Sequence, residues 1–218
     1  MPKIVDHEQR RWELVKAVWA VIRERGVQGA SVRAVARQAG WSPSSVQYYF
    51  SSQSELLLFA LKAISEAAEL RLSEPDLPTD PRERGLAQLE RILPMDPDSY
   101  VATEIWVAFL SQVRVDTKAG ALNAAADRKV NQLCREVLDG LSSAGLLAAD
   151  LDLDLETDLL QALFDGLAVH AVTVPDRMPP ARIRRLLAHH LDRLSVGSVP
   201  QASGRPGRHP PGEPGGTP

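Results

Sequence analysis

A single cysteine, Cys134, occurs among the 218 residues. No intramolecular disulfide can form, and a cysteine-based metal cluster is not expected; a reducing compartment fits. No uncharged apolar run reaches the length of about 18 residues that a membrane span needs. The opening MPKIVDHEQRR has no apolar stretch of the secretory type. These absences predict a cytoplasmic protein with no membrane partner. Catalytic signatures are missing too. There is no Gly-x-Ser-x-Gly elbow, Gly140-Leu141-Ser142-Ser143-Ala144 being a near miss at a helix end. No phosphate-binding loop or dinucleotide fingerprint occurs. His189 and His190 are adjacent, so on a helix they point about 100° apart and cannot share one metal. No enzyme, cofactor or metal site is expected.

What is present is a soluble-type composition, 44% hydrophobic and 24% charged, with a formal net charge of −3. The charge is unevenly placed. Residues 1–50 hold eight Lys and Arg against four acids, net +4, whereas residues 51–218 hold 17 against 24, net −7. A basic head on an acidic body favours phosphate contact at one end only. The length suits one small module plus a larger domain with its own core.

The stretch Ser31–Phe50, SVRAVARQAGWSPSSVQYYF, reads as two short helices joined by a tight turn. Ser31 is a cap, and Val32, Val35, Ala36 and Ala39 then recur on one helical face. Gly40 stops that helix in the left-handed conformation. Ser42-Pro43 starts the next, with proline at the first helical position where no N–H is missed. Val46, Tyr49 and Phe50 form its apolar stripe. Ser42, Pro43, Ser44, Ser45, Gln47 and Tyr48 face outward: short hydroxyls, an amide and a phenol where a solvated face would carry Lys, Glu and Arg. Such groups suit phosphates and base edges in a major groove. The structural alternative is a small three-helix core with a polar surface.

Residues from about Arg10 to Leu61 resemble the DNA-binding domain of TetR-type transcriptional regulators, and the N-terminal domain looks most like the BetI-like subgroup. The residues that carry this are the Gly26 stop, Ser31, Val35-Ala36, Ala39-Gly40, Ser42, Tyr49-Phe50 and the following Ser-x-Glu-Leu-Leu. The resemblance implies an all-α homodimer that binds double-stranded operator DNA and is released by a small-molecule effector. It places the helix-turn-helix domain at 8–68 and the effector-binding and dimerisation domain at 80–195. Ser31 and Arg33 would touch the DNA backbone, and Ser42, Pro43, Ser44, Ser45, Gln47, Tyr48 and Tyr49 would reach bases or phosphates. Gln53 stands where the family often has a lysine on phosphate, and Gln47 where it often has a tyrosine. Both departures replace a longer or stronger contact with an amide.

Along the rest of the chain, residues 7–25 predict a first helix ended by Gly26. Arg10 and Arg11 lie near its start, against the preference of the helix dipole for acids there. They are either phosphate contacts or ordinary solvated arginines. Ser52-Gln53-Ser54-Glu55 reads as a capping box launching a helix to about Leu72. Pro75, Pro78 and Pro81 mark a linker, and helices are expected over about 81–93, 96–113, 119–145, 156–174 and 181–194. Leu151–Asp154 alternates apolar and acidic residues but reads as a loop. In the family the last two helices pair with their copies across a twofold axis. From Gly197 to Pro218, 12 of 22 residues are Gly or Pro, a composition that cannot bury apolar surface and predicts a disordered tail.

Tyr100, Trp106, Phe109, Gln112, Phe164 and His170 are the candidates for an effector pocket, being aromatic or polar on mostly apolar helices. An aromatic stripe at helical spacing also suits a plain core. Trp106 with Tyr100 would suit a quaternary ammonium through cation–π contact. The expected function is a ligand-responsive repressor, with an activator or a ligand-independent DNA-binding protein of the same fold as alternatives.

Overall fold

The computed structural model describes residues 7–50 and 52–195. Nine α-helices make up the described chain: α1 His7–Arg25, α2 Val32–Ala39, α3 Pro43–Tyr49, α4 Gln53–Ser73, α5 Pro81–Glu90, α6 Pro97–Phe109, α7 Thr117–Ser143, α8 Leu153–Thr173 and α9 Pro180–Arg193. The fold is all-α, as the periodicities predict, and no strand forms among the described residues.

The boundaries follow local chemistry. Gly26, Gly40 and Gly145 take φ of 68°, 69° and 69°, the left-handed region that a helix terminus or tight turn demands and a Cβ opposes. Ser31, Ser42 and Ser52 each accept a hydrogen bond from the backbone N–H three residues on, at Ala34, Ser45 and Glu55. A two-way capping box forms at the start of α6: Asp96 accepts from the Ser99 N–H, and the Ser99 hydroxyl lies 3.0 Å from the Asp96 N–H as its acceptor. The reading of one helix through Val113 is shortened, because α6 tightens into a 3₁₀ turn over Leu110–Gln112. Leu153 and Asp154 open α8 three residues earlier than the apolar stripe suggests, with Asp152 as the cap.

Two cores organise the molecule. The head core joins Leu14, Val18, Val21 and Ile22 of α1 to Val35, Ala36, Val46, Phe50, Leu56 and Ala60. The body core joins α5, α7, α8 and α9 through Leu86, Leu89, Val137, Leu138, Leu160, Phe164, Ile183 and Leu187. The two are interlocked: Val101 and Ile105 of α6 are 2% and 0% exposed, and they belong to the head core. Burying two such side chains contributes about 1.5–3 kcal/mol each, so α6 is anchored in the head although it belongs by sequence to the body. Residues 197–218, where the sequence predicts a tail without a core, lie outside the described residues. No helix among the described residues is long and apolar enough to cross a membrane.

Candidate nucleic-acid interface

The turn between α2 and α3 is held from both sides. Gly40 N–H and Trp41 N–H return to the carbonyls of Arg37 and Ala36 at 3.3 and 2.9 Å. Val46 is fully buried, and Phe50 packs beneath it with its ring 4.9 Å from that of Phe59. With Val46 and Phe50 pinned inward, the opposite face of α3 must look outward. Pro43, Ser44, Ser45, Gln47 and Tyr48 are all exposed there, and Tyr48 is 82% exposed, an extreme value for a ring.

Three serine hydroxyls gather at the start of α3. Ser42 Oγ lies 2.9 Å from Ser44 Oγ and 2.7 Å from Ser45 Oγ while accepting from the Ser45 N–H at 3.1 Å. This mutual bonding orders them before any partner arrives. Tyr49 is half-buried, its ring edge-on to Tyr48 at 5.4 Å and 6.0 Å from Trp41. Ser31 spends its hydroxyl on the Ala34 N–H at 3.2 Å, so its role in the folded head is a cap, with lone-pair capacity to spare. Arg33 and Arg37 are exposed on α2. Gln53 opens α4, and its side chain lies outside the described residues. The outward face of α3 therefore presents hydroxyls, an amide and a phenol, and the neighbouring α2 exposes two cations, groups suited to phosphate and base-edge recognition.

The six candidate effector residues do not share one environment. Phe109 closes a small cluster with Leu61 and Ala119, and Phe164 lies in the body core. Trp106 is partly buried between these two clusters. Gln112 sits in the 3₁₀ turn, its carbonyl accepting from the Val115 and Asp116 N–H groups. His170 is exposed near the end of α8. Tyr100 is half-buried one turn before Glu104, and burial together with that neighbouring carboxylate raises its phenol pKa. Sequence reasoning missed two acids. Burial raises the Glu104 carboxyl above its ordinary range. Asp165 on α8 is pushed up to about 6, first by burial and then by the charge of Asp127 on α7. Nothing in the local sequence separates these acids from solvated ones, because their burial comes from neighbouring helices.

Comparison with known proteins shows the family and the fold. Residues 14–60 match the family described as bacterial regulatory proteins, tetR family, and residues 81–196 match that of the BetI-type transcriptional repressor, C-terminal. The chain is 37% identical over 199 residues to the HTH-type transcriptional regulator PksA of Bacillus subtilis, covering 90% of this chain and 95% of the relative. It is 27% identical to the HTH-type transcriptional regulator BetI of Proteus mirabilis, covering 88% and 94%. Among solved structures, a transcriptional regulator from Rhodococcus sp. RHA1 superposes with a TM-score of 0.71 at 27% identity, covering 84% of this chain and 95% of the other. A regulator from Saccharomonospora viridis, solved in complex with choline, superposes with a TM-score of 0.76, covering 87% and 98%. At 23% identity that likeness is one of fold.

Proposed function

Because the chain belongs to the TetR family and is a DNA-binding transcriptional regulator, we propose that it acts as a homodimeric repressor, released from its operator by a small-molecule effector. The observation that carries the reading is the outward face of α3, where Tyr48 stands 82% exposed beside Gln47, Ser44 and Ser45. An exposed ring of that size costs solvation unless it meets a partner, and a major groove offers one.

Dimerisation is supported by α8. Leu155 and Leu159 lie one turn apart, 56% and 48% exposed, and Ala162 continues the same face. A second copy of α8 and α9 would cover this stripe about a twofold axis. Two recognition helices would then sit one DNA turn apart, about 34 Å.

Release follows from the interlock. Whatever moves α6 moves Val101 and Ile105 within the head core, and cores repack in discrete arrangements. An effector favouring a body whose α6 is shifted would populate dimers with mismatched helix spacing; couplings of this kind are typically about 1–3 kcal/mol. We favour a cationic effector. Glu104 and Asp165 are body carboxylates that burial disfavours in their charged forms, so an organic cation bound beside either one would be stabilised there. Tyr100 beside Glu104, and Trp106, add ring faces for such a cation. The choline complex of the Saccharomonospora viridis regulator is a precedent within the fold.

The test is fluorescence anisotropy on DNA from upstream of the gene, titrated against random duplex, with wild type and Tyr48→Ala. Saturable binding that outcompetes random DNA, lost in Tyr48→Ala while the protein remains a dimer by light scattering, is expected. Equal affinity of the two proteins would sink the assignment of the α3 face.

A further inference from the structure

Arg10 lies outside the α2–α3 unit, yet it reaches that unit's turn. Its guanidinium carbon sits 5.5 Å from the centroid of the Trp41 ring. Trp41 is the residue between the Gly40 stop and the Ser42 cap. It is half-buried against the head core, with its backbone N–H tied to the Ala36 carbonyl at 2.9 Å. Its ring continues to Tyr49 at 6.0 Å, and Tyr49 meets Tyr48 edge-on at 5.4 Å. Four side chains thus run in contact from the start of α1 to the most exposed ring of α3.

The kind of contact decides what Arg10 can do. A carboxylate partner would neutralise a guanidinium and occupy its fork of donors, whereas an aromatic face attracts the cation and leaves the N–H groups at its edge free. Arg10 is exposed and, among the described residues, joins no ion pair with a carboxylate. Stability of the helix does not account for it, since a cation in the first turn of α1 opposes the dipole. The stack holds a full positive charge, with donors available, beside the turn that launches α3.

We propose that Trp41 is a platform that positions the Arg10 guanidinium against a DNA phosphate flanking the groove occupied by α3. Arg10 makes the contact, and Trp41 acts through Arg10. This rests on the reading of α3 as the recognition helix and adds a backbone anchor contributed by α1. A long arginine free in solution would pay entropy to settle on a phosphate; the indole face removes part of that cost beforehand.

The experiment uses the full-length protein and a 30-bp duplex that the wild type itself enriches from a random-sequence library. Affinity is measured across a salt series for wild type, Arg10→Ala, Arg10→Lys, Trp41→Leu and Trp41→Phe, with thermal melts to confirm folding. Each phosphate contact contributes about 0.9 to the slope of log K against log salt. Arg10→Ala removes one contact from each of the two heads of the dimer, so it is expected to flatten the slope by about 1.8 and to weaken binding at least several-fold at moderate salt. Arg10→Lys should keep most of the slope. Trp41→Leu should flatten it towards Arg10→Ala, and Trp41→Phe, which retains a ring, should restore it in part. Arg10→Ala with the wild-type slope overturns the phosphate contact. Trp41→Leu and Trp41→Phe both keeping the wild-type slope overturns the platform. A wild type that enriches no sequence overturns the recognition-helix reading, and this inference with it.

Discussion

The guanidinium of Arg23 in the last turn of α1 donates to the carboxylate of Asp98 in the first turn of α6. Together with Val101 and Ile105 this pair ties the head to the helix that the body would move. Both side chains are about half exposed, so the pair adds about 0–1 kcal/mol to stability at most. Arg23→Ala is expected to lower the melting temperature only slightly and to change operator affinity by about two- to five-fold through head orientation. The salt slope should stay at its wild-type value, because the Arg23 guanidinium is already paired with Asp98. Anisotropy across a salt series checks this, and a flattened slope would place Arg23 on DNA.

Leu159→Glu should divide the dimer. The position is 48% exposed in the protomer, so the substitution leaves the fold intact while placing a charge on the α8 stripe. Multi-angle light scattering should report a monomer, and operator affinity should fall by about a hundredfold or more once two half-sites are no longer read together. A stable dimer carrying Leu159→Glu would move the interface elsewhere.

Asp165 predicts a pH dependence whose sign is fixed by its burial. Its folded-state pKa of about 6 lies above the ordinary value of 3.8. Between those values the folded protein binds more protons than the unfolded chain, so this group's contribution to stability declines as pH rises through about 6. Asp165→Asn should therefore raise the melting temperature relative to wild type at pH 8, with the gain shrinking towards pH 4. A cationic effector beside Asp165 would bind more tightly above pH 6 than below it. Melts and calorimetric titrations with choline as the probe, at pH 5 and pH 8, would show both trends.

Gly85 packs against α7 at a distance that leaves no room for a side chain: a Cβ there would lie 2.9 Å from Val137 Cγ1. Gly85→Ala forces the buried Val137, and α7 with it, to shift. The expected loss is about 1–3 kcal/mol, read by urea denaturation, with the head's intrinsic affinity for DNA little changed. An unaltered midpoint would mean that the α5–α7 contact yields easily.

The reach of the sequence can be judged from particular residues. Ser31, Gly40, Ser42 and Gly26 were legible because caps and left-handed stops depend on a few neighbouring atoms. The outward face of α3 was legible because Val46 and Phe50 had to point inward. The box at Asp96–Ser99 is not legible in the sequence, because a serine takes the place that the motif gives to glutamate. Trp41 is not legible as more than a ring in a turn, since its importance comes from Arg10, 31 positions earlier. The insertion of α6 into the head core was equally hidden: Val101 and Ile105 look like any apolar stripe until the partner surface is known. Glu104 and Asp165 are invisible for the same reason, as burial of an acid is a property of its surroundings.

The direction of α7 carries a practical consequence. It runs alongside α4 in the same sense, with Ala119 packed near Leu61 at the head end and Lys129 paired with Glu69 further on. At 27 residues it is about 40 Å long, so the turn after it lies at the end of α7 remote from the head. There the Ala148 N–H takes the Leu194 carbonyl at 3.1 Å, fastening the end of α9 to that same region. A fluorophore or affinity handle introduced at Ser195 therefore starts out at the end of α7 remote from the head, which makes this position the natural place to attach a reporter.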